Sequence, residues 1–143
     1  MSKIVFICHA NYCRSPVAEK IFNKIDNSLN ATSYAIEYFR LHDMDKRSAD
    51  FLRQIEINPL PHVPKKIERS VLANAEYIFA MDLKILMYLH KNFSTFAKKI
   101  KLINFFDKEL NIIDPINFDN SDDYIEVMNR IRKCVKYIHK NVY

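Results

Sequence analysis

Glycine is absent from all 143 residues, where ordinary usage of about 7% would supply roughly ten. Left-handed turn positions must then fall to Asn, Asp or a strained residue, because a Cβ is tolerated there at least cost on those short polar types. Tryptophan is missing too, and cysteine is scarce, with Cys8, Cys13 and Cys134 the whole complement. Three cysteines are too few and too odd in number for a disulfide framework, so free thiols in a reducing compartment are expected. There is no apolar stretch long enough to span a bilayer. The apolar start of MSKIVFICHANYCRSP breaks off at His9 without a small-residue cleavage site. The chain therefore reads as cytoplasmic, with neither a signal peptide nor a membrane partner.

What is present fits an ordinary globular protein. Apolar residues make up 49% and charged residues 27%, enough to exclude a disordered chain and to build one packed core without metal or staples. A single domain over residues 1–143 is expected. The net charge of +5 favours acidic or phosphorylated partners. Its lysines are spread along the chain, with short clusters at Lys65-Lys66 and Lys98-Lys99-Lys101 that read as solvated faces. No basic stripe with interleaved aromatics appears, so nucleic acid is not an expected partner.

Hydrophobic patterning alternates between two periods. Lys3 to Cys8 is a buried-strand run. Ser15-Pro16 then opens a helix, with Ser as the cap and Pro at the first position, and Val17, Ile21, Phe22 and Ile25 recur along one face. Thr32 to Ile36 predicts a second strand and Asp45 to Ile55 a helix with Ala49, Leu52 and Ile55 inward, before Pro59, Pro61 and Pro64 break the pattern. Tyr77 to Met81 predicts a third strand, Leu83 to Lys91 a helix and Ile100 to Ile103 a fourth strand. Asp122 to Asn141 predicts a long helix carrying Ile125, Met128, Ile131, Val135 and Ile138 inward. Alternation of this kind predicts an α/β, three-layer sandwich: a four-stranded parallel sheet, helices on both faces, and ligands bound beyond the carboxyl ends of the strands.

Cys8 falls at such an end. The segment Cys8-His9-Ala10-Asn11-Tyr12-Cys13-Arg14-Ser15-Pro16 places a thiol after a strand, a guanidinium six positions on, and a helix start behind. A loop of backbone N–H groups feeding a helix N-terminus makes an anion nest, and Arg14 can add two parallel hydrogen bonds to phosphate oxygens. That positive field favours a thiolate, and a thiolate beneath a bound phosphate is a nucleophile aimed at phosphorus.

The segment resembles the active-site loop of the low-molecular-weight protein tyrosine phosphatases, whose pattern is Cys, any, Gly, Asn, any, Cys, Arg, Ser, Pro. Likeness extends to Tyr77-Ile78-Phe79-Ala80-Met81-Asp82, which is similar to a strand end of that family, and to Asp114-Pro115, which matches its acid loop. The resemblance implies hydrolysis of phosphotyrosine through a cysteinyl-phosphate, without metal or cofactor. It implies Cys8 as nucleophile, Arg14 as phosphate clamp, Asn11 as keeper of the loop's shape, Ser15 as donor to the thiolate, and Asp114 as general acid and then base. His9, Ala10, Tyr12 and Cys13 complete the loop, and Cys13 matches a thiol that in some relatives forms a reversible disulfide with the nucleophile. Implied partners are tyrosine-phosphorylated proteins, a tyrosine kinase among them, with inorganic phosphate and other oxyanions as product or inhibitor.

The departures are specific. Ala10 replaces the family's Gly, so if that position needs a glycine-only backbone, about 1–2 kcal/mol of strain follows. A phosphate-binding module with weakened turnover is then the alternative reading. Ile116 stands where many relatives carry an aromatic residue, Tyr12 is bulky for the loop, and Tyr38 or Phe39 falls where relatives place an aromatic wall. A protein arginine phosphatase is disfavoured by Tyr12, where such relatives tend to carry Thr. A thioredoxin-coupled arsenate reductase is disfavoured because only the distant Cys134 remains as a further thiol, and Cys134 itself reads as core. Cys8, His9 and Cys13 lack a companion pair with zinc-site spacing. His42, His62, His90 and His139 are scattered singly and read as surface or packing residues. Asp82 reads as a helix cap.

Overall fold

The computed structural model describes residues 3–142. Four strands, β1 (Ile4–Cys8), β2 (Thr32–Ala35), β3 (Tyr77–Ala80) and β4 (Ile100–Leu102), form one all-parallel sheet in the order β2-β1-β3-β4. In register, Phe6 lies between Ser33 and Phe79, and Ile7 between Tyr34 and Ala80. Every residue of β1 is buried, as expected of a central parallel strand covered on both faces. Around the sheet lie α1 (Ser15–Ile25), α2 (Lys46–Gln54), α3 (Arg69–Asn74), α4 (Leu83–Asn92) and α5 (Ser121–Val142). Among the described residues no helix is long and apolar enough to cross a membrane.

The expected sandwich is what forms. From β1 the chain steps one way to β2 through α1, then returns past β1 to β3 and on to β4 through α4. Right-handed crossovers in opposite directions put their helices on opposite faces. α5 packs along α1, and its buried row Tyr124, Val127, Met128, Ile131, Cys134, Val135 and Ile138 closes that side of the core. Ile125, expected inward, is only half-buried, at the edge of the row.

A further expectation is corrected. Ser15 does not cap α1: the cap position is Arg14, which makes no side-chain capping bond, and Ser15 is already helical. Its hydroxyl is turned instead toward Cys8. The stretch after Pro64 forms a parallel bridge at the sheet edge. It runs beside β2, with Ala35 N–H donating to Lys65 O at 2.6 Å and Ile67 N–H to Ala35 O at 2.7 Å, before entering α3.

The missing glycine leaves its mark where anticipated. Positive φ falls on Asn11 (55°), Asn30 (50°), Arg40 (55°), Asp43 (53°) and Glu56 (63°), three of them the Asn and Asp types that tolerate it. Ala10 is not among them, so the strain expected from its Cβ has no left-handed backbone to arise from.

Candidate active site

The order β2-β1-β3-β4 makes the end of β1 the point from which successive connections leave in opposite directions, the crevice where parallel α/β sheets bind ligands. Cys8 ends β1 there, buried at 2% exposure, and two groups converge on its sulfur. The Asn11 backbone N–H donates to Cys8 Sγ at 3.2 Å, and Ser15 Oγ lies 3.0 Å away. The Asn11 carboxamide fixes the direction of the second contact. Its Nδ2 donates to Ser15 Oγ (2.8 Å) and Ser33 Oγ (2.9 Å), while Ser33 passes its own proton to Glu19 Oε1 (2.9 Å). Ser15 Oγ therefore already accepts, and its proton is free to point at sulfur. On the carbonyl sides, Asn11 Oδ1 accepts from Lys65 N–H (3.1 Å) and Asn11 O from His62 Nε2 (2.8 Å). That bond requires the Nε2–H tautomer of His62, and burial lowers the His62 pKa, which keeps the ring neutral.

Arg14 is 1% exposed. Its Nη1 donates to Asp82 Oδ2 and to Ile112 O, each at 2.8 Å, and its Nη2 approaches Asp114 Oδ2 at 3.8 Å. A buried guanidinium without an anion would cost several kcal/mol. Asp82 supplies that anion from the end of β3. It also caps α4 as read from sequence, accepting from Ile85 N–H at 2.9 Å. With Nη1 so occupied, the other donors of the fork remain for a bound oxyanion.

Cys13 is buried, and desolvation, with the Asp45 carboxylate adding to it, pushes its thiol up to about 12. It stays a thiol and points at Asp45 Oδ2 (3.7 Å). Asp45 caps α2 by accepting from Arg47 N–H and donates its own N–H to Tyr12 O at 3.0 Å. Burial alone would raise the Asp45 carboxyl, but hydrogen bonds from Arg47 outweigh it and hold it below its ordinary value. Ser48 Oγ donates to Cys13 O at 2.7 Å.

The cavity above Cys8 has a volume of about 450 Å³ and is lined by Cys8, His9, Ala10, Tyr12, Cys13, Arg14, Phe39, Leu41, Asp114 and Ile116. His9 lies 5.2 Å from Phe39 between ring centroids and pairs with Glu37 at 3.2 Å. Sequence reasoning brought Cys8, Arg14, Asp114, Phe39 and Ile116 to this place, with Asn11 and Ser15 behind it. Tyr38 is a correction: of the two aromatic residues expected at the wall, Phe39 lines the cavity, whereas Tyr38, 58% exposed, is outside the lining. Leu41, Asp45, Arg47, Ser48 and Ser33 were not anticipated. Their signal is weak, an Asp before a helix start being the one visible clue.

The arrangement can bind a tetrahedral oxyanion between loop amides and a guanidinium, present a sulfur beneath it, and hold a carboxyl at the opposite lip. The low molecular weight phosphotyrosine protein phosphatase model matches residues 3–143. The low molecular weight phosphotyrosine protein phosphatase of Pongo abelii is 30% identical over 149 residues, covering 96% of this chain and 94% of its own. The tyrosine phosphatase Wzb from Escherichia coli K30, solved in complex with sulphate, has a TM-score of 0.91 at 17% identity with 100% of both chains covered. The arginine phosphatase YwlE from Bacillus subtilis, solved with a phosphorylated active-site serine, has a TM-score of 0.84 at 19% identity over 96% of each chain. At such identities the two structures speak for the fold alone. With the family match running from Lys3 to the C-terminal residue, and the Pongo abelii relative agreeing over nearly its whole length, this chain belongs to the low molecular weight phosphotyrosine protein phosphatase family.

Proposed function

We propose that this protein hydrolyses phosphotyrosine through a cysteinyl-phosphate formed on Cys8. One observation carries the reading: a buried thiol at a strand end receives an N–H from Asn11 and a hydroxyl from Ser15, with the Arg14 guanidinium and the Asp114 carboxyl lining the same cavity. Donors aimed at sulfur stabilise its thiolate. Arg14 and the loop amides hold the three terminal phosphate oxygens and stabilise the charge they carry in the transition state. The Cys8 thiolate forms the S–P bond as the P–O bond to the tyrosyl oxygen breaks, and the carboxylic acid form of Asp114 delivers its proton to that oxygen. In the second half, Asp114 as carboxylate takes a proton from water while the water oxygen attacks phosphorus. The S–P bond breaks, inorganic phosphate leaves and the thiolate is restored.

Tyr12, Phe39, Leu41 and Ile116 in the wall suit an aromatic ring, and this favours phosphotyrosine over phosphoarginine. No metal or cofactor enters the scheme, and Cys13, held as a thiol, takes no part in it. The weakened-module alternative drew on Ala10 and the missing glycines; that Ala10 is not among the residues with positive φ supports the hydrolytic reading over it.

The test is turnover of para-nitrophenyl phosphate and of matched phosphotyrosine and phosphoarginine peptides by wild type, Cys8→Ser and Asp114→Asn. Expected are no turnover in Cys8→Ser, a loss of about 10²–10⁴ in Asp114→Asn, the usual worth of a general acid, and preference for the phosphotyrosine peptide. An inert wild type sinks the enzyme reading. Preference for phosphoarginine reassigns the substrate.

A further inference from the structure

Asp114, the proposed acid, lies in a segment with no helix or strand between β4 and α5. Its own restraints are slight: Oδ1 accepts from Ile116 N–H at 3.2 Å, Oδ2 stands 3.8 Å from Arg14, and the side chain is 38% exposed. A general acid must nevertheless sit within hydrogen-bond reach of the leaving oxygen. Something else has to hold this segment against the phosphate loop.

Arg47, at the start of α2, has the geometry to do so. Its Nε donates to Asp45 Oδ1 (3.0 Å) and its Nη2 to Asp45 Oδ2 (2.8 Å), a two-pronged grip on one carboxylate. The donors that remain reach the acid segment: Nη1 gives to Phe118 O at 2.8 Å and Nη2 to Ile116 O at 3.1 Å. The guanidinium carbon lies 4.2 Å from the centroid of the Tyr124 ring, which supports the plane from α5. Asp45 is itself fastened to the phosphate loop through Tyr12 O and the Cys13 thiol. A continuous chain of bonds thus runs from the loop bearing Cys8, through Asp45 and Arg47, to the two carbonyls just past Asp114.

The geometry points to Arg47 as a positioning residue that keeps Asp114 in register with the leaving group, an inference that rests on the phosphatase reading. Arg47 does not line the substrate cavity, so it acts through the acid segment. Lysine cannot replace it in full, because a single ammonium lacks the planar fork that serves one carboxylate and two carbonyls together.

A residue that acts through the acid matters in proportion to how much the leaving group needs a proton. Phenyl phosphate releases a phenol with a pKa of about 10, whereas para-nitrophenyl phosphate releases a far more acidic phenol that departs with little help. The experiment compares kcat/KM for these two esters in wild type, Arg47→Gln and Arg47→Lys, with competitive inhibition by inorganic phosphate measured in each.

Expected is a loss on phenyl phosphate about tenfold or more beyond the loss on the nitro ester, since misplacing a catalytic group by about 1 Å costs up to 10²-fold. Phosphate inhibition should be unchanged, and Arg47→Lys should fall between wild type and Arg47→Gln. Equal losses on both esters, or weakened phosphate inhibition in step with turnover, overturn the inference and leave Arg47 as scaffolding. Should Arg47→Gln fail to fold, Arg47→Lys keeps a cation over Tyr124 and decides the same comparison. A wild type inert toward both esters refutes the phosphatase reading itself, and the role of Arg47 falls with it.

Discussion

Asn11 has φ of 55°, and its amide and carbonyl groups are engaged on every side: sulfur and two serines receive from it, Lys65 and His62 give to it. Asparagine is both among the cheapest non-glycine residues in that conformation and the one that can accept and donate from a single short side chain. His62 closes this network and should set its acid limit. Its folded-state pKa is depressed, chiefly by burial, so the unfolded chain takes up the proton first as pH falls from the free value of about 6.5. The contribution of neutral His62 is complete above that value and is lost on descent to the folded pKa. Urea unfolding at a series of pH values should show this decline in wild type, and His62→Gln, which keeps a donor but does not titrate, should flatten it. A decline of the same slope in His62→Gln would show that another group controls the limit. Cys8, Arg14 and Asp114 were legible in sequence because the first two share a short motif and the third a dipeptide. Asp82, the anion beside Arg14, was read only as a cap, because its partner lies 68 positions away and no local pattern reports such a meeting.

Among the elements, helix α2 is braced through Ser48, the middle member of one hydrogen-bond relay. Ser48 Oγ spends its proton on Cys13 O, since a carbonyl can only accept, and Tyr124 on α5 must therefore be the donor in the 2.6 Å contact with Ser48. Burial keeps the Tyr124 hydroxyl protonated by raising its pKa. Tyr124→Phe should cost about 1 kcal/mol in urea unfolding, the net worth of one such bond. Ser48→Ala also strands the buried Cys13 carbonyl and should cost more, about 1–3 kcal/mol for the unsatisfied group. The reverse ranking would show that the relay does not run in this direction. Strands and long helices came out of the sequence to within a residue or two, because β1, β3 and the long helices carry a run or face of apolar residues at one period. Helix α3 was not legible: six residues long, it buries Leu72 alone, too little for a period to register. The start of α1 was misread at Ser15 because a Ser-Pro pair reads as a cap, while the hydroxyl is claimed by sulfur across the loop.

For the molecule as a whole, stability and site are coupled. Beyond the sheet pairing, side chains tie distant parts of the chain together at the site, Arg14 reaching Asp82 across 68 positions and Ile112 across 98. A ligand that binds between those ties should stabilise the entire fold. At one hundred times its dissociation constant, inorganic phosphate should add about 2.7 kcal/mol, which for a domain near this size raises Tm by roughly 5–10 °C. Arg14→Lys, lacking the fork, should respond much less in the same thermal scans. An equal response would place the anion elsewhere.

The five left-handed positions filled without glycine bear on the denatured state rather than the native one. Each holds a residue whose Cβ restricts the chain once it is unfolded, and Arg40 and Glu56 do so at positions where their native backbone is less comfortable than that of Asn or Asp. The unfolded ensemble of a chain with no glycine is narrower than its length suggests. Folding then surrenders less backbone entropy, a gain kept wherever the native φ is negative and outweighed by strain where a residue such as Arg40 or Glu56 is held at positive φ.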